Sequence, residues 1–296
     1  MGTLSSEKTF FAVSFYAKTV LYYLHGEECG NNSGGSAPEG VFFIMRSWTT
    51  FLAAPFILAL TLCGCSMLPE EKLSPATDIT LPELERRMAQ ATDPDGRYAK
   101  SRSFVMRQLV ETKRFLDQPL EQMVETKFMR PDFFKITTYD DNKPTASVIS
   151  NGENSWVVDY NAGKVQMLDL ESLRQVKRFT DVTKPGSRLS EVFPDIRIFK
   201  CRIGDTDYYK LVCPGEKGQG LNVYVDADSC QITRISVVED GKVTYDSSLK
   251  GYGLYEGVRI PEETTVCSDG VEKTSRIIYY KLNPTIDLSE FRPPTF

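Results

Sequence analysis

From Ser101 to Leu282 the chain is written in short runs whose apolar and polar residues alternate with a period of two. Turn residues separate the runs, and this one feature restricts the region to antiparallel sheet. Phe104, Met106, Gln108 and Val110 alternate with Val105, Arg107, Leu109 and Glu111, and Asp117-Gln118-Pro119 ends the run. Leu120, Gln122, Val124, Thr126 and Phe128 then alternate with Glu121, Met123, Glu125, Lys127 and Met129 up to Pro131-Asp132. Shorter strands are expected over 133–139 and 146–150, around the polar loop Asp140-Asp141-Asn142-Lys143-Pro144, and over 155–159 and 164–168. A second meander is expected over 196–203, 208–212, 221–225, 231–238, 243–252, 258–267 and 271–282. Glu239-Asp240-Gly241-Lys242 is its strongest hairpin signal.

Helical spacing occurs in three places. Leu81, Leu84, Met88 and Ala91 give one apolar face, with Thr80 as cap and Glu83 completing a capping box. Leu170, Leu173 and Val176 continue the spacing to Phe179, and residues 187–193 allow a further short helix before Pro194. The order is therefore helix, about six strands, a helical interruption and about seven strands. One sheet of so many strands must curl, and the helical segment can fill its concave side. The expected class is α+β, mainly β: a curled antiparallel sheet forming a half-open barrel lidded by short helices.

Ahead of this domain, residues 45–64 have the parts of a secretory signal: Arg46, an uncharged apolar run from Ser47 to Leu62, and a small residue before the cut. The run is shorter than the ~20 residues of a membrane-spanning helix. Its ending, Leu62-Cys63-Gly64-Cys65, resembles the lipobox of bacterial lipoproteins, and that resemblance makes Cys65 the acylated, palmitate-bearing N-terminus of the mature protein. Cys63 departs from the usual small or β-branched residue at its position. Two or more acyl chains anchor stably. Ser66, where an aspartate would signal inner-membrane retention in enterobacterial lipoproteins, favours an outer-membrane, periplasm-facing location. Residues 1–44 precede a complete signal and are expected to be an over-extended N-terminus, with translation starting at Met45. The alternative is a cytoplasmic tail ahead of an uncleaved anchor. Residues 65–80, with Pro69 and Pro75, read as a lipidated linker, and 81–296 as the folded domain.

Composition excludes several chemistries. The only histidine is His25, so the folded region can carry neither a Ser-His-Asp triad nor a His-based zinc site. A net charge of −5 argues against nucleic acid. Gly215-Glu216-Lys217-Gly218-Gln219-Gly220 precedes a strand rather than a helix, which disfavours a phosphate cradle. Asp226-Ala227-Asp228 lacks the glycine and terminal glutamate of a calcium loop. No metal, cofactor or catalytic residue is expected. Cys201, Cys213, Cys230 and Cys267 are candidates for at least one disulfide in an exported protein, with three connectivities open.

Several segments together resemble the LolA/LolB family of bacterial lipoprotein carriers and receptors. Residues 130–136 (Arg-Pro-Asp-Phe-Phe-Lys-Ile) match its Pro-x-x-Phe-basic strand start. Residues 149–160 match its Ser-Asn-Gly to Trp hairpin, residues 209–226 its next strand pair, and residues 286–293 its tail. The resemblance implies a non-enzymatic protein with a half-open barrel of about eleven strands around an apolar cavity for acyl chains of lipoproteins or lipids. It also implies a role in lipoprotein sorting with a periplasmic carrier or envelope protein as partner. Cys65 places the chain nearer the LolB type. The loop that would match LolB's apolar insertion loop, residues 140–144, is wholly polar. Cavity candidates are Phe104, Met106, Val110, Leu120, Val124, Phe128, Phe134, Ile136, Trp156 and Val158. Each of these could instead be plain core. The alternative function is a regulatory or structural envelope lipoprotein using the same fold to bind a protein.

Overall fold

The computed structural model describes residues 71–113, 119–168, 181–215, 218–268 and 271–296. The chain opens with β1 (Lys72–Pro75), α1 (Leu81–Thr92) and the single turn α2 (Arg97–Lys100). The first meander is β2 (Ser103–Lys113), β3 (Leu120–Met129), β4 (Phe133–Asp140), β5 (Lys143–Asn151), β6 (Ser155–Asp159) and β7 (Lys164–Met167). The second is β8 (Arg197–Ile203), β9 (Thr206–Pro214), β10 (Gln219–Asp226), β11 (Ile232–Glu239), β12 (Lys242–Tyr255), β13 (Val258–Ser268) and β14 (Val271–Leu282). Two 3-10 turns, Leu189–Glu191 and Leu288–Phe291, complete the described elements.

All fourteen strands form one antiparallel sheet in the order β1-β8-β9-β10-β11-β12-β13-β14-β2-β3-β4-β5-β6-β7. It is curled but not closed, with β1 and β7 at its two ends. The joint between the meanders is β14 against β2, from Glu272↔Lys113 to Leu282↔Phe104. The expected class is met, with more strands than the family resemblance implies.

The tight turns follow local chemistry. β4 and β5 are joined by Asp141 and Asn142, both at positive φ (47° and 62°), so the polar loop is a two-residue hairpin turn. Asp240 and Gly241, at φ 49° and 77°, do the same between β11 and β12.

Two segments differ from expectation. Lys72–Pro75, read as linker, is β1, paired from Lys72↔Arg202 to Pro75↔Phe199. It carries no alternation because all four residues are exposed at the sheet's edge, and β8 supplies its hydrogen bonds. Thr80 makes no side-chain cap; Glu83 is held instead by Arg86 (2.9 Å) and Arg87 (2.8 Å). Those hydrogen bonds, from Arg86 first and Arg87 second, lower the Glu83 carboxyl to about 2. The helix expected over 187–193 is reduced to the turn Leu189–Glu191. The helical spacing of 170–179 falls outside the described residues.

The main core lies on the concave side. Leu84 and Met88 of α1, with Val182 and Leu189, join one cluster with Val110, Val124, Ile136, Val148 and Val157 of the first meander. The same cluster takes Leu211, Val223, Ile235, Leu249 and Val266 of the second. One helix face thus packs against strands from both halves, which is why the sheet wraps around it. On the convex side the C-terminal tail returns, and Phe291 is fully buried against Ile149 and Val158. Glu290 accepts from Lys127 (2.9 Å) and Lys135 (3.0 Å) and holds the tail on β3 and β4.

Candidate functional site

The register of β14, β2, β3, β4 and β5 lays the concave side chains out in three rows. The first is Leu282, Phe104, Phe128, Phe134 and Ser150. The second is Tyr280, Met106, Thr126, Ile136 and Val148, and the third Ile277, Gln108, Val124, Thr138 and Ala146. Side chains two apart on a strand share a face, so these rows form one continuous surface.

The rows are not filled alike. Val110, Val124 and Ile136 are buried in the cluster with α1. Phe104, Met106, Phe128 and Phe134 are half-buried. Phe104 stacks on Phe128 at 5.3 Å and on Tyr280 at 5.9 Å, and Tyr98 of α2 tilts against it at 5.9 Å. Offset aromatic contacts of this kind hold rings in place. Burial pushes the Tyr98 hydroxyl up to about 12 and raises that of Tyr280. Both remain neutral donors over the physiological range.

Eight of the ten cavity candidates share this concave surface. Leu120 stands at its rim, 47% exposed at the start of β3. Trp156 and Val158 do not share it. They pair with Ile149 and Ser147 on the convex face, and both pack in the cluster closed by Phe291. Val157 is the β6 residue that faces inward. Both faces of β6 are covered, so alternation could not say which parity points in. Tyr98, Gln108, Thr126, Ile277 and Tyr280 were not among the candidates. Tyr280 and Ile277 reach the site only through the β14–β2 pairing, about which local sequence is silent. For Gln108 and Thr126 there was a signal: polar residues in register with apolar ones.

A cleft between the C-terminal end of α1 and the turn 183–187 is lined by Met88, Thr92, Cys230, Ile232, Tyr252 and Ile260. It holds about 20 Å³, space for a single water rather than an acyl chain.

The four domain cysteines form no disulfide among the described residues, where at least one was expected, and Cys201 and Cys213 stand too far apart to be bridged. Cys201 lies opposite Tyr208 on the convex face, and Cys213 is in the concave core five residues further along β9. That is roughly 17 Å at ~3.4 Å per residue, against the ~7 Å between Cα atoms that a disulfide tolerates. Cys230 follows β10 on the concave side, beside the cleft, and Cys267 sits on β13, five strands from Cys201. Burial pushes the Cys213 thiol up to about 12. Cys65 and its signal lie outside the described residues.

The convex face of the second meander holds a buried charge cluster. Glu71, just before β1, accepts from Lys210 and from the Tyr224 hydroxyl (2.6 Å). Lys210 and Arg234 lie over the Tyr224 ring at 5.1 and 5.2 Å. Among the described residues no group of His, Cys, Asp or Glu could hold a metal ion, and no helix is long and apolar enough to cross a membrane.

No family model matches the sequence, and no curated protein matches it. Solved structures do. A LolA superfamily protein from Nitrosomonas europaea aligns over 73% of this chain and 98% of its own, with 11% identity and a TM-score of 0.51. A DUF1329 family protein from Desulfovibrio piger aligns over 72% and 95%, with 11% identity and a TM-score of 0.53. At these identities the likeness concerns the fold alone: the curled antiparallel sheet around a short helix is a LolA-like fold.

Proposed function

We propose that this protein is a non-enzymatic envelope lipoprotein, anchored through acylated Cys65, whose concave face binds acyl chains of lipoproteins or lipids in outer-membrane lipoprotein sorting. The signal in residues 45–64 supports the anchor and the envelope location. One observation carries the binding reading: Phe104, Met106, Phe128 and Phe134 stay half-buried on the inner face of the sheet, where fully buried aliphatic residues elsewhere complete a core. Large apolar side chains left partly in water on a concave surface favour an apolar ligand by ~25 cal/mol per Å² covered. Methionine among them suits adaptable packing. The 20 Å³ cleft does not take such a chain, so the ligand lies along β2 to β4.

Two measurements test this. Radioactive fatty acid should label the wild-type protein and Cys63→Ser, and not Cys65→Ser; equal labelling of both variants defeats the anchor. The chain carrying Cys65→Ser, purified without detergent, should release acyl lipid on extraction. Phe128→Asp, shown to be folded by circular dichroism, should release much less. A folded protein that carries no lipid and binds none when titrated would instead be a packed protein-binding module.

A further inference from the structure

Three large apolar side chains stand in water on neighbouring strands. Leu254 of β12 is 67% exposed, and Ile278 and Tyr279 of β14 are 56% and 44% exposed. Only β13 lies between the two strands. Leu254 is directly opposite Arg259, and Tyr279 directly opposite Arg107. The alternate pairs, Gly253↔Ile260, Tyr255↔Val258 and Tyr280↔Met106, point the other way, where Val258, Ile260 and Tyr280 close a cluster on Tyr98. Leu254 and Tyr279 therefore share the outer face. Ile278 sits at a bulge between Ile277 and Tyr279, a device that re-aims a side chain.

Cations stand among these side chains. Arg107 lies over the Tyr279 ring at 5.4 Å and binds Glu125 at 2.7 Å. Lys281 reaches Glu256 at 3.3 Å. Arg259 is exposed and has no carboxylate partner among the described residues. An exposed apolar patch marks an interaction site, and an unpaired cation beside it favours an anionic lipid surface.

The linker leaves from the same end of the sheet. Neighbouring strands are antiparallel throughout, so the start of β1 lies at the end where β12 and β14 finish. Glu71 is fixed there by Lys210 and Tyr224. Cys65 is six residues earlier, a reach of ~20 Å even when fully extended. A lipid on Cys65 thus brings the bilayer to the end that carries Leu254 and Ile278. The polar turn Asp141-Asn142 between β4 and β5 stands at the opposite end.

We propose that the outer face of β12 to β14, beside this end, docks on an anionic phospholipid bilayer. Leu254 and Ile278 enter the acyl boundary and Arg259 meets a phosphate. This rests on the anchor at Cys65 proposed above and requires no ligand on the concave face.

The full chain is recovered from membranes in its acylated form. It is reconstituted into vesicles of phosphatidylethanolamine and phosphatidylglycerol with brominated acyl chains. Trp48→Phe and Trp156→Phe remove the native tryptophans, and Leu254→Trp, Ile278→Trp or Val243→Trp supplies one reporter. Val243, 43% exposed at the other end of β12, is the control. Leu254→Trp and Ile278→Trp should lose emission to the bromine and shift to shorter wavelength. Val243→Trp should do neither. Arg259→Gln, added to Leu254→Trp, should lower the ratio of docked to undocked protein about fivefold, the worth of one charge at an anionic surface. An unchanged ratio overturns the role of Arg259 and the choice of an anionic bilayer. Equal quenching at both ends of β12 overturns the docking surface, and so does quenching at neither, which leaves the patch to a protein partner. Fatty-acid labelling separates the two readings. Labelled protein without quenching overturns the docking surface alone, whereas a chain that takes no label loses the anchor and the docking surface together.

Discussion

The two halves of the sheet share a helix but treat their concave faces differently. Under α1, β9 to β11 present Leu211, Val223, Val225 and Ile235, all fully buried, with no orphaned side-chain polar atom on that face among the described residues; Arg234 Nη2 of β11 is orphaned on the opposite face. From β14 to β4 the same face carries half-buried aromatic rings and three orphaned polar atoms. Aliphatic side chains interlock to crystal-like density and complete a core. Stacked rings with orphaned polar atoms beside them do not. On the function proposed above, the second half supplies stability and the first the surface for a ligand. The convex faces divide as well: the segment before β1 is fastened to the second half by Glu71, the C-terminal tail to the first by Glu290 and Phe291.

The largest effects should come from the closed half. Leu211→Ala should cost ~2–5 kcal/mol in urea unfolding, because its surroundings cannot collapse onto the gap. Phe128→Ala removes a larger side chain but one partly in water, and should cost only ~1–2 kcal/mol. If Phe128→Ala proves the more damaging, the aromatic end is core and the contrast between the halves fails.

Lys210→Met should cost about 3 kcal/mol by leaving the mostly buried Glu71 carboxylate with the Tyr224 hydroxyl but without its lysine. Adding Glu71→Gln should recover a good part of that loss. A double variant no better than the single would show that Lys210 acts by packing rather than by charge.

The tail of the first half should respond to acid. Burial raises the Glu290 carboxyl, but hydrogen bonds from Lys127 and Lys135 together outweigh it and hold the group below its ordinary value of 4.5. A carboxyl depressed in the folded state stabilises fully above that ordinary value, and the contribution is lost as pH falls through the folded value. Trp156, packed in the Phe291 cluster, reports the release. In a Trp48→Phe chain its emission should shift as pH falls below about 4.5, and Glu290→Gln should show the released spectrum at neutral pH. An emission unchanged through that range would mean that Phe291 alone holds the tail.

The smallest effect is expected at α1, which both halves share. Thr80→Ala should stay within ~0.5 kcal/mol of wild type, because no side-chain cap exists to lose. A loss near the ~1 kcal/mol of a true cap would put the capping box back and give α1 a stronger hold on its own start.

The sequence by itself determined what depends on neighbours along the chain. Period-two alternation placed the strands from β2 to β14, and positive-φ residues such as Asp141-Asn142 and Asp240-Gly241 placed their turns. The face shared by Phe104, Met106, Val110, Val124 and Phe128 was likewise legible, because parity within a strand is a local property. Only the tertiary structure decided what depends on partners far away. No local signal marks the four exposed residues of β1 as a strand, since their hydrogen bonds come from β8. Nor does one say that Tyr280 stands beside Met106 across a separation of more than a hundred residues. Trp156 fell to the convex face because a tail from the far end of the chain buries that side of β6, making both of its parities apolar. Thr126 and Gln108 looked like ordinary polar steps in an alternating strand. Their burial without a hydrogen-bond partner among the described residues came only once the sheet curled around α1.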